Sequence, residues 1–137
     1  MRKLVLGDSV PVAAAKVWAV IGDFSGMAQW APIVESETTE DTPQGKVRTL
    51  SLRGGRVVKE LMTSQGEHHY TYTLERPDMA SYHSTVAVAP IDDGASMIEL
   101  SLLFEPAEGV DMTETTDQLL KFLGGNLKAM KRAVAAG

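Results

Sequence analysis

The sequence predicts an α+β protein in which a strongly curved antiparallel sheet of about seven strands surrounds a long C-terminal helix. Three observations lead to this fold class. Residues 2–9 alternate weakly, as a strand does. Regular turn signals then divide the chain from Ile33 to Pro106 into segments of strand length, and the last segment has a helical period. Strands followed by one long helix are typical of the α+β class.

Two short helices are predicted directly after the first strand. Pro11 suits the first turn of a helix, and the apolar residues that follow it have a roughly helical spacing. Ser25-Gly26 ends this pattern. A second short turn then carries Met27 and Trp30, before Pro32 disfavours further helix.

Six strands are predicted between Ile33 and Pro106, because the segments between the turns are rich in Val, Thr, Tyr and Leu. Their connections are short, so the strands are antiparallel. Gly54-Gly55 predicts a two-residue hairpin turn, since both positions can adopt positive φ.

The last segment has one apolar face of a helix, formed by Leu119, Leu123, Leu127, Met130 and Val134. Asp111 with Glu114 three residues later resembles a capping box at its start. Gly124-Gly125 lies within the helix at a cost of about 1 kcal/mol each relative to Ala. A kink or a close backbone approach would explain both glycines.

Composition limits the classes of function. A chain of 137 residues is expected to form one domain, residues 1–137, and its 44% hydrophobic and 23% charged residues are ordinary for a soluble protein. The net charge of -5 argues against nucleic-acid binding and against docking on anionic lipid. There is no cysteine and no apolar run long enough to cross a bilayer, and the apolar stretch before Asp8 is too short for us to expect a signal peptide. We therefore expect a cytoplasmic protein without integral membrane association, and leave a homodimer open.

An ordered set of short segments carries a family resemblance. They are Val17-Trp18, Ile21-Gly22-Asp23-Phe24, Trp30, residues 45–48, Lys59-Glu60-Leu61, Tyr72, Tyr82 and Phe104-Glu105-Pro106, followed by the closing helix. With this set, nearly the whole chain resembles the SRPBCC superfamily of START-like, helix-grip proteins, and within it the polyketide cyclase/dehydrase-like group. The resemblance implies a helix-grip fold with a cavity between sheet and helix. Lys59 stands where members often have Glu, and Leu100 where many have Trp, so ligand identity does not carry over.

The resemblance also implies which strand faces line the cavity. Alternation places residues 48, 50 and 52 on one face, as it does residues 57, 59 and 61, residues 70, 72 and 74, and residues 82, 84, 86 and 88. The result is an apolar chamber with few polar groups, which is typical of a small-molecule site. The predicted ligand-binding residues are Arg48, Lys59, Tyr72, Tyr82, Ser84, Glu99 and Trp30.

Arg48 and Lys59 are the sharpest candidates, because an unpaired cation in an apolar chamber is unfavourable. Each could bind a ligand carboxylate or enolate. Alternatively, each could pair internally with Glu99, or Lys59 could extend its head to solvent. A register error of one residue would place Glu60 in the cavity instead of Lys59.

The other candidates have two interpretations as well. Glu99 is either a general base or a structural ion-pair partner. The Tyr72 and Tyr82 hydroxyls and Ser84 either bind a ligand oxygen or belong to the core or to solvated surface, and Trp30 lies at the cavity mouth. No metal or cofactor is predicted, because neighbouring histidines point to opposite strand faces and no nucleotide or nucleophile motif is present. No catalytic residue is assigned.

Three functions are compatible with this sequence. The first is binding of a small, mostly hydrophobic molecule with an acidic or carbonyl end, by a carrier, sensor or sequestering protein. The second is a polyketide cyclase/dehydrase-like lyase that folds its substrate in the same cavity and stabilises an enolate. The third is a protein-interaction domain, which a filled core would favour. The sequence leaves open whether the protein is an enzyme.

Overall fold

The computed structural model describes all residues from 1 to 137. The seven strands are β1 (Arg2–Val10), β2 (Val34–Thr42), β3 (Gly45–Leu52), β4 (Val57–Gly66), β5 (His69–Thr73), β6 (Met79–Asp92) and β7 (Ala95–Pro106). The helices are α1 (Ala14–Ile21) and α2 (Met112–Ala136), with a 3-10 turn at Met27–Gln29. These elements confirm the predicted helix-grip architecture.

One antiparallel sheet contains all seven strands in the order β1-β7-β6-β5-β4-β3-β2. Strands β2 to β7 form a meander in which each strand pairs with the next one in sequence. Only β1 is placed out of sequence order, beside β7, where Leu4 is opposite Leu102. The inner face of the sheet and the helices share one hydrophobic core.

The helix α2 runs without interruption through Gly124-Gly125. Its first residues are capped by Asp111, whose carboxylate accepts a hydrogen bond of 2.9 Å from the Thr113 amide. A Cβ on Gly125 would meet nothing within 4 Å, and one on Gly124 would make only an ordinary contact of 3.9 Å with the Leu6 side chain. The expectation of a close backbone approach at this pair is therefore wrong.

The hairpin between β3 and β4 turns at Gly54-Gly55, but its loop has three residues, 53–55, and not the predicted two, since the Leu52 amide donates to the Arg56 carbonyl and Ser51 is opposite Val57. Their φ angles are +96° and +90°, a region that favours glycine. This turn also fixes the register of β4, in which Glu60 is opposite Arg48 and Val58 is opposite Leu50. Opposed residues of an antiparallel pair share a face.

The inner face of β4 was predicted as Val57, Lys59 and Leu61, and this prediction is wrong. Glu60 is buried, whereas Lys59 and Val57 are exposed. The register is one residue away from the predicted one, and a shift of one residue moves every side chain of a strand to the other face. The glutamate, not the lysine, therefore points into the protein.

The helix α2 contacts α1, β1 and β7. Its core face consists of Met112, Leu119, Leu123, Met130 and Val134. The exposed face carries Lys131, which forms an ion pair with Asp8 of β1. None of the helices combines the length and the apolar character that a membrane crossing requires.

Candidate functional site

A large cavity lies between the N-terminal half of α2 and strands β3, β4 and β5. Its volume is about 1230 Å³, and 13 of its 23 lining residues are hydrophobic. Leu50, Leu52 and Met27 form part of the wall, and α2 contributes Leu119 and Phe122. The predicted apolar chamber is therefore present, on the scale of a small-molecule pocket.

A second, shallower cavity of about 690 Å³ is lined by the segment that connects β5 to β6. The two cavities share six lining residues, namely Thr73, Leu74, Glu75, Arg76, Pro77 and Tyr82. Arg76 in this segment pairs with Asp78 through two hydrogen bonds of 2.9 and 2.8 Å. The connecting segment thus contributes to the lining of both cavities.

The central polar feature of the interior is an ion pair between neighbouring strands. Arg48 Nε donates to Glu60 Oε1 at 2.7 Å, and both side chains are buried, with 1% and 7% of their surface exposed. Arg48 Nη1 donates to the Phe24 carbonyl oxygen at 3.1 Å and makes a longer contact of 3.4 Å with the Tyr70 hydroxyl. The buried cation is therefore paired inside the protein. Of the two interpretations of Arg48, a ligand contact or an internal ion pair, the structure has the second.

Three aromatic rings surround the guanidinium of Arg48. Its central carbon lies 4.2 Å from the ring centre of Phe24, 4.9 Å from that of Tyr72 and 5.4 Å from that of Tyr70. Phe24 and Tyr70 also meet edge to face, with ring centres 5.4 Å apart. Ring faces attract a cation at these distances, so the aromatic residues help to hold Arg48 away from the cavity.

Burial and charge act in opposite directions on the titration of the pair. Burial alone would lower the pKa of Arg48, but Tyr70, Glu60 and Tyr72 together raise it above its ordinary value. Burial raises the pKa of Glu60, and the charge and hydrogen bond of Arg48 offset this only in part. The carboxyl group of Glu60 is therefore a weaker acid than a glutamate in water.

The tyrosines beside the pair are also weaker acids than usual. Burial, followed by the charge of Glu60, raises the pKa of Tyr82 to about 12. The pKa of Tyr72 lies well above its ordinary value, again mainly because of burial. Both phenols keep their protons near neutral pH and can donate hydrogen bonds.

The structure brings together only part of the predicted set of site residues. Tyr72 and Tyr82 are buried and line the cavity. Arg48 and Ser84 are buried on the same face of the sheet, but neither is part of the cavity wall. Lys59 borders the cavity with an exposed side chain.

Two predicted residues lie elsewhere. Glu99 is exposed on the outer face of β7, opposite Gly7 and Ala87, so its predicted pairing with Arg48 is wrong. Trp30 is buried after the 3-10 turn and does not line the cavity mouth, and its indole Nε1 has no hydrogen-bond partner in the protein. Sheet order and burial, which local patterns do not encode, decide both positions.

Two residues that sequence reasoning did not assign to the site belong to it. Glu60 was recognised only as the alternative to Lys59, and it is the buried acid of the cavity wall. Phe24 contributes both a carbonyl oxygen and a ring to the Arg48 environment. The position of Glu60 opposite Arg48 would have followed from the correct β4 register, whereas nothing in the sequence places the Phe24 carbonyl there.

The family model described as "Polyketide cyclase / dehydrase and lipid transport" matches residues 1–135. The chain belongs to this family. No curated protein sequence is significantly similar to it. The family match confirms the resemblance that the short sequence segments indicated.

Several solved structures share the fold over nearly the whole chain. The protein XoxI from Bacillus cereus is 26% identical, with a TM-score of 0.84 over 98% of this chain and 96% of its own. A START superfamily protein from Mycobacterium smegmatis is 15% identical, with a TM-score of 0.79 over 98% and 97%. Norcoclaurine synthase from Thalictrum flavum is 16% identical, with a TM-score of 0.74 over 98% and 94%. The last two likenesses extend to the fold alone.

Proposed function

We propose that the protein binds a small, mostly hydrophobic molecule in the cavity beneath α2, as a carrier, sensor or sequestering protein. The observation that carries this proposal is the cavity itself, with about 1230 Å³ of space and a mainly apolar wall. A pocket of this kind buries most of a small apolar ligand and so provides a hydrophobic driving force. The family description, which includes lipid transport, supports the same function.

The sequence predicted a ligand with an acidic or carbonyl end, because Arg48 and Lys59 were both expected in the wall. A carbonyl end keeps its support, since the protonated hydroxyl of Tyr82 is a hydrogen-bond donor in the wall. An acidic end loses most of its support. Arg48 is already paired with Glu60, and Lys59 is exposed.

Matched tryptophan substitutions on α2 test the proposal. Thr115 lines the cavity, whereas the adjacent Thr116 does not, and both are half-buried. We expect Thr115→Trp to weaken binding of the neutral fluorescent probe N-phenyl-1-naphthylamine by about tenfold, or about 1.4 kcal/mol, because the indole occupies the cavity. Thr116→Trp should leave binding unchanged.

Native mass spectrometry of the protein from its own host complements this titration. A stoichiometric apolar molecule that is released on denaturation would support the proposal and identify the ligand. Absence of probe binding together with an empty protein would overturn it.

A lyase function is the second candidate, favoured by the position of Glu60 in the wall. A carboxylate with a raised pKa is a stronger base than an ordinary glutamate and can accept a proton from a substrate carbon or oxygen. The family description includes cyclases and dehydrases. Once a substrate is known, loss of its turnover in Glu60→Gln with retained binding would support this candidate. A role restricted to protein interaction is disfavoured, because it would be expected with a filled core.

A further inference from the structure

Three residues of the cavity wall are both polar and buried, namely Glu60, Tyr72 and Tyr82. Of the other charged groups of the wall, Lys59, Arg56 and Glu75 are exposed, whereas Arg76 and Asp78 are half-buried and paired with each other. In the fully buried part of the wall, a ligand therefore meets polar contacts only at Glu60, Tyr72 and Tyr82.

Two polar atoms of this set have no hydrogen-bond partner in the protein, whereas the third group, the Tyr72 hydroxyl, interacts with the Ser84 side chain. Glu60 uses Oε1 to bind Arg48, and its other oxygen, Oε2, makes no hydrogen bond. The hydroxyl of Tyr82 likewise makes none, although the backbone carbonyl of Tyr82 accepts one from Thr73 at 2.7 Å. The wall thus offers one strong acceptor and one donor.

Glu60 on β4 and Tyr82 on β6 are both buried on the inner face of the sheet and line the same cavity, and the charge of Glu60 acts on the Tyr82 hydroxyl. Because the Tyr82 phenol keeps its proton near neutral pH, it acts as the donor of the two. A ligand group that both donates and accepts a hydrogen bond would satisfy both atoms at once.

The ion pair selects against charged ligand ends. The Arg48 cation is enclosed by Glu60, the Phe24 carbonyl and aromatic rings, so it cannot neutralise a ligand carboxylate. Such a carboxylate would face the oxygen of Glu60 instead, and the repulsion of like charges weakens binding. A ligand cation gains little, since Arg48 already compensates the charge of Glu60 at 2.7 Å while the cation still has to lose its water.

We propose that the ligand carries a neutral hydroxyl group on an apolar frame, which donates to Glu60 and accepts from Tyr82. Glu60 is then the residue that determines specificity, and it selects hydroxyl over carboxylate ends. This inference rests on the proposed binding function and names the class of ligand for the same cavity.

Three naphthalene probes of one shape test the inference without any change to the protein. They are 2-naphthol, which donates and accepts; 2-methoxynaphthalene, which only accepts; and 2-naphthoate, which is an anion. Their dissociation constants are measured near neutral pH by displacement of N-phenyl-1-naphthylamine. We expect 2-naphthol to bind about tenfold to a hundredfold more tightly than the methoxy compound, the range for a hydrogen bond to a charged acceptor, and the naphthoate to bind most weakly.

Tyr82→Phe provides the matched variant, because it removes only one hydroxyl and leaves the ion pair intact. It should reduce the affinity for 2-naphthol about fivefold, as expected for loss of a neutral hydrogen bond, and leave the affinity for naphthalene unchanged. Glu60→Gln should reduce the preference of the cavity for 2-naphthol over 2-naphthoate.

Different probe-binding results would contradict the hydroxyl proposal and the binding function. If the three probes bind equally well, or if 2-naphthoate binds most tightly, the hydroxyl proposal is wrong and the binding function stands. If neither the fluorescent probe nor any naphthalene binds, the binding function itself is wrong, and the hydroxyl proposal fails with it.

Discussion

Removal of one partner of the buried ion pair is predicted to destabilise the protein strongly. Arg48→Met keeps much of the apolar stem of the side chain but leaves the Glu60 carboxylate buried and unpaired. The two side chains expose only 1% and 7% of their surface, so solvent cannot replace the missing partner. Breaking a buried pair in this way costs about 3–5 kcal/mol. A domain has a total stability of about 5–15 kcal/mol, so the loss is a large fraction of it.

Removal of both charges is predicted to have a much smaller effect. Arg48→Met combined with Glu60→Leu leaves no buried charge and replaces the pair with apolar groups of similar size. Such replacements are often neutral or stabilising by about 1–4 kcal/mol. The double variant should therefore be more stable than Arg48→Met, although it carries one more substitution.

Urea unfolding followed by tryptophan fluorescence measures these differences, with Lys131→Met as the control. Lys131 also pairs with a carboxylate, that of Asp8, but both side chains are substantially exposed. Its loss should change the unfolding midpoint far less than the loss of Arg48. A similar change in both variants would contradict the reasoning, as would a double variant less stable than Arg48→Met.

The pH dependence of Arg48→Met gives an independent check. Arg48 provides both effects that lower the pKa of Glu60, so its removal raises that pKa further above the ordinary value of 4.5. A carboxyl group whose pKa is higher in the folded than in the unfolded state binds a proton on folding. Its contribution to stability is therefore lost as the pH rises through the folded pKa. The deficit of Arg48→Met relative to the unmodified protein should therefore shrink as the pH is lowered from neutral towards the ordinary value of 4.5.

Two further predictions concern glycines and the cap of α2. A Cβ on Gly22 would lie 2.3 Å from the Trp18 ring, so Gly22→Ala should lower the free energy of unfolding by about 1–3 kcal/mol in urea titrations. Gly125→Ala, on an open helix surface, should raise it by about 1 kcal/mol, and the reverse order of the two variants would refute this account. Asp111 accepts a hydrogen bond from the Thr113 amide, which lowers its pKa below the ordinary 3.8. Its stabilising effect is present above that value and disappears as the pH falls through the lowered pKa, so Asp111→Ala should differ from the parent protein at neutral pH and converge with it in acid.

The seven strands and the closing helix could be predicted because their signals are local. Turn residues such as Gly54-Gly55 fix where a strand ends, and alternation fixes which residues of one strand share a face. For β5 and β6 this sufficed, and Tyr72 and Tyr82 lie on the inner face as predicted. Asp111 also caps α2 at the predicted position.

The same local rules failed for β4, because alternation defines two faces but not which of them is buried. The choice between Lys59 and Glu60 depends on pairing across the turn, where Glu60 is opposite Arg48. The predicted pairing of Arg48 with Glu99 was wrong for a related reason. Sheet order places three strands between β3 and β7, and Glu99 lies on the outer face.

The sequence by itself determined the fold class, since periodicity and turn chemistry act over a few residues, and its resemblance to a known family implied the apolar chamber. Only the tertiary structure decided which charges are buried, that Arg48 is already paired and that Glu60 provides the acid of the cavity wall. Burial and charge pairing depend on side chains brought together from separate strands. Their free energies follow from distances of a few ångströms in a medium of low polarity, which no spacing along the chain specifies.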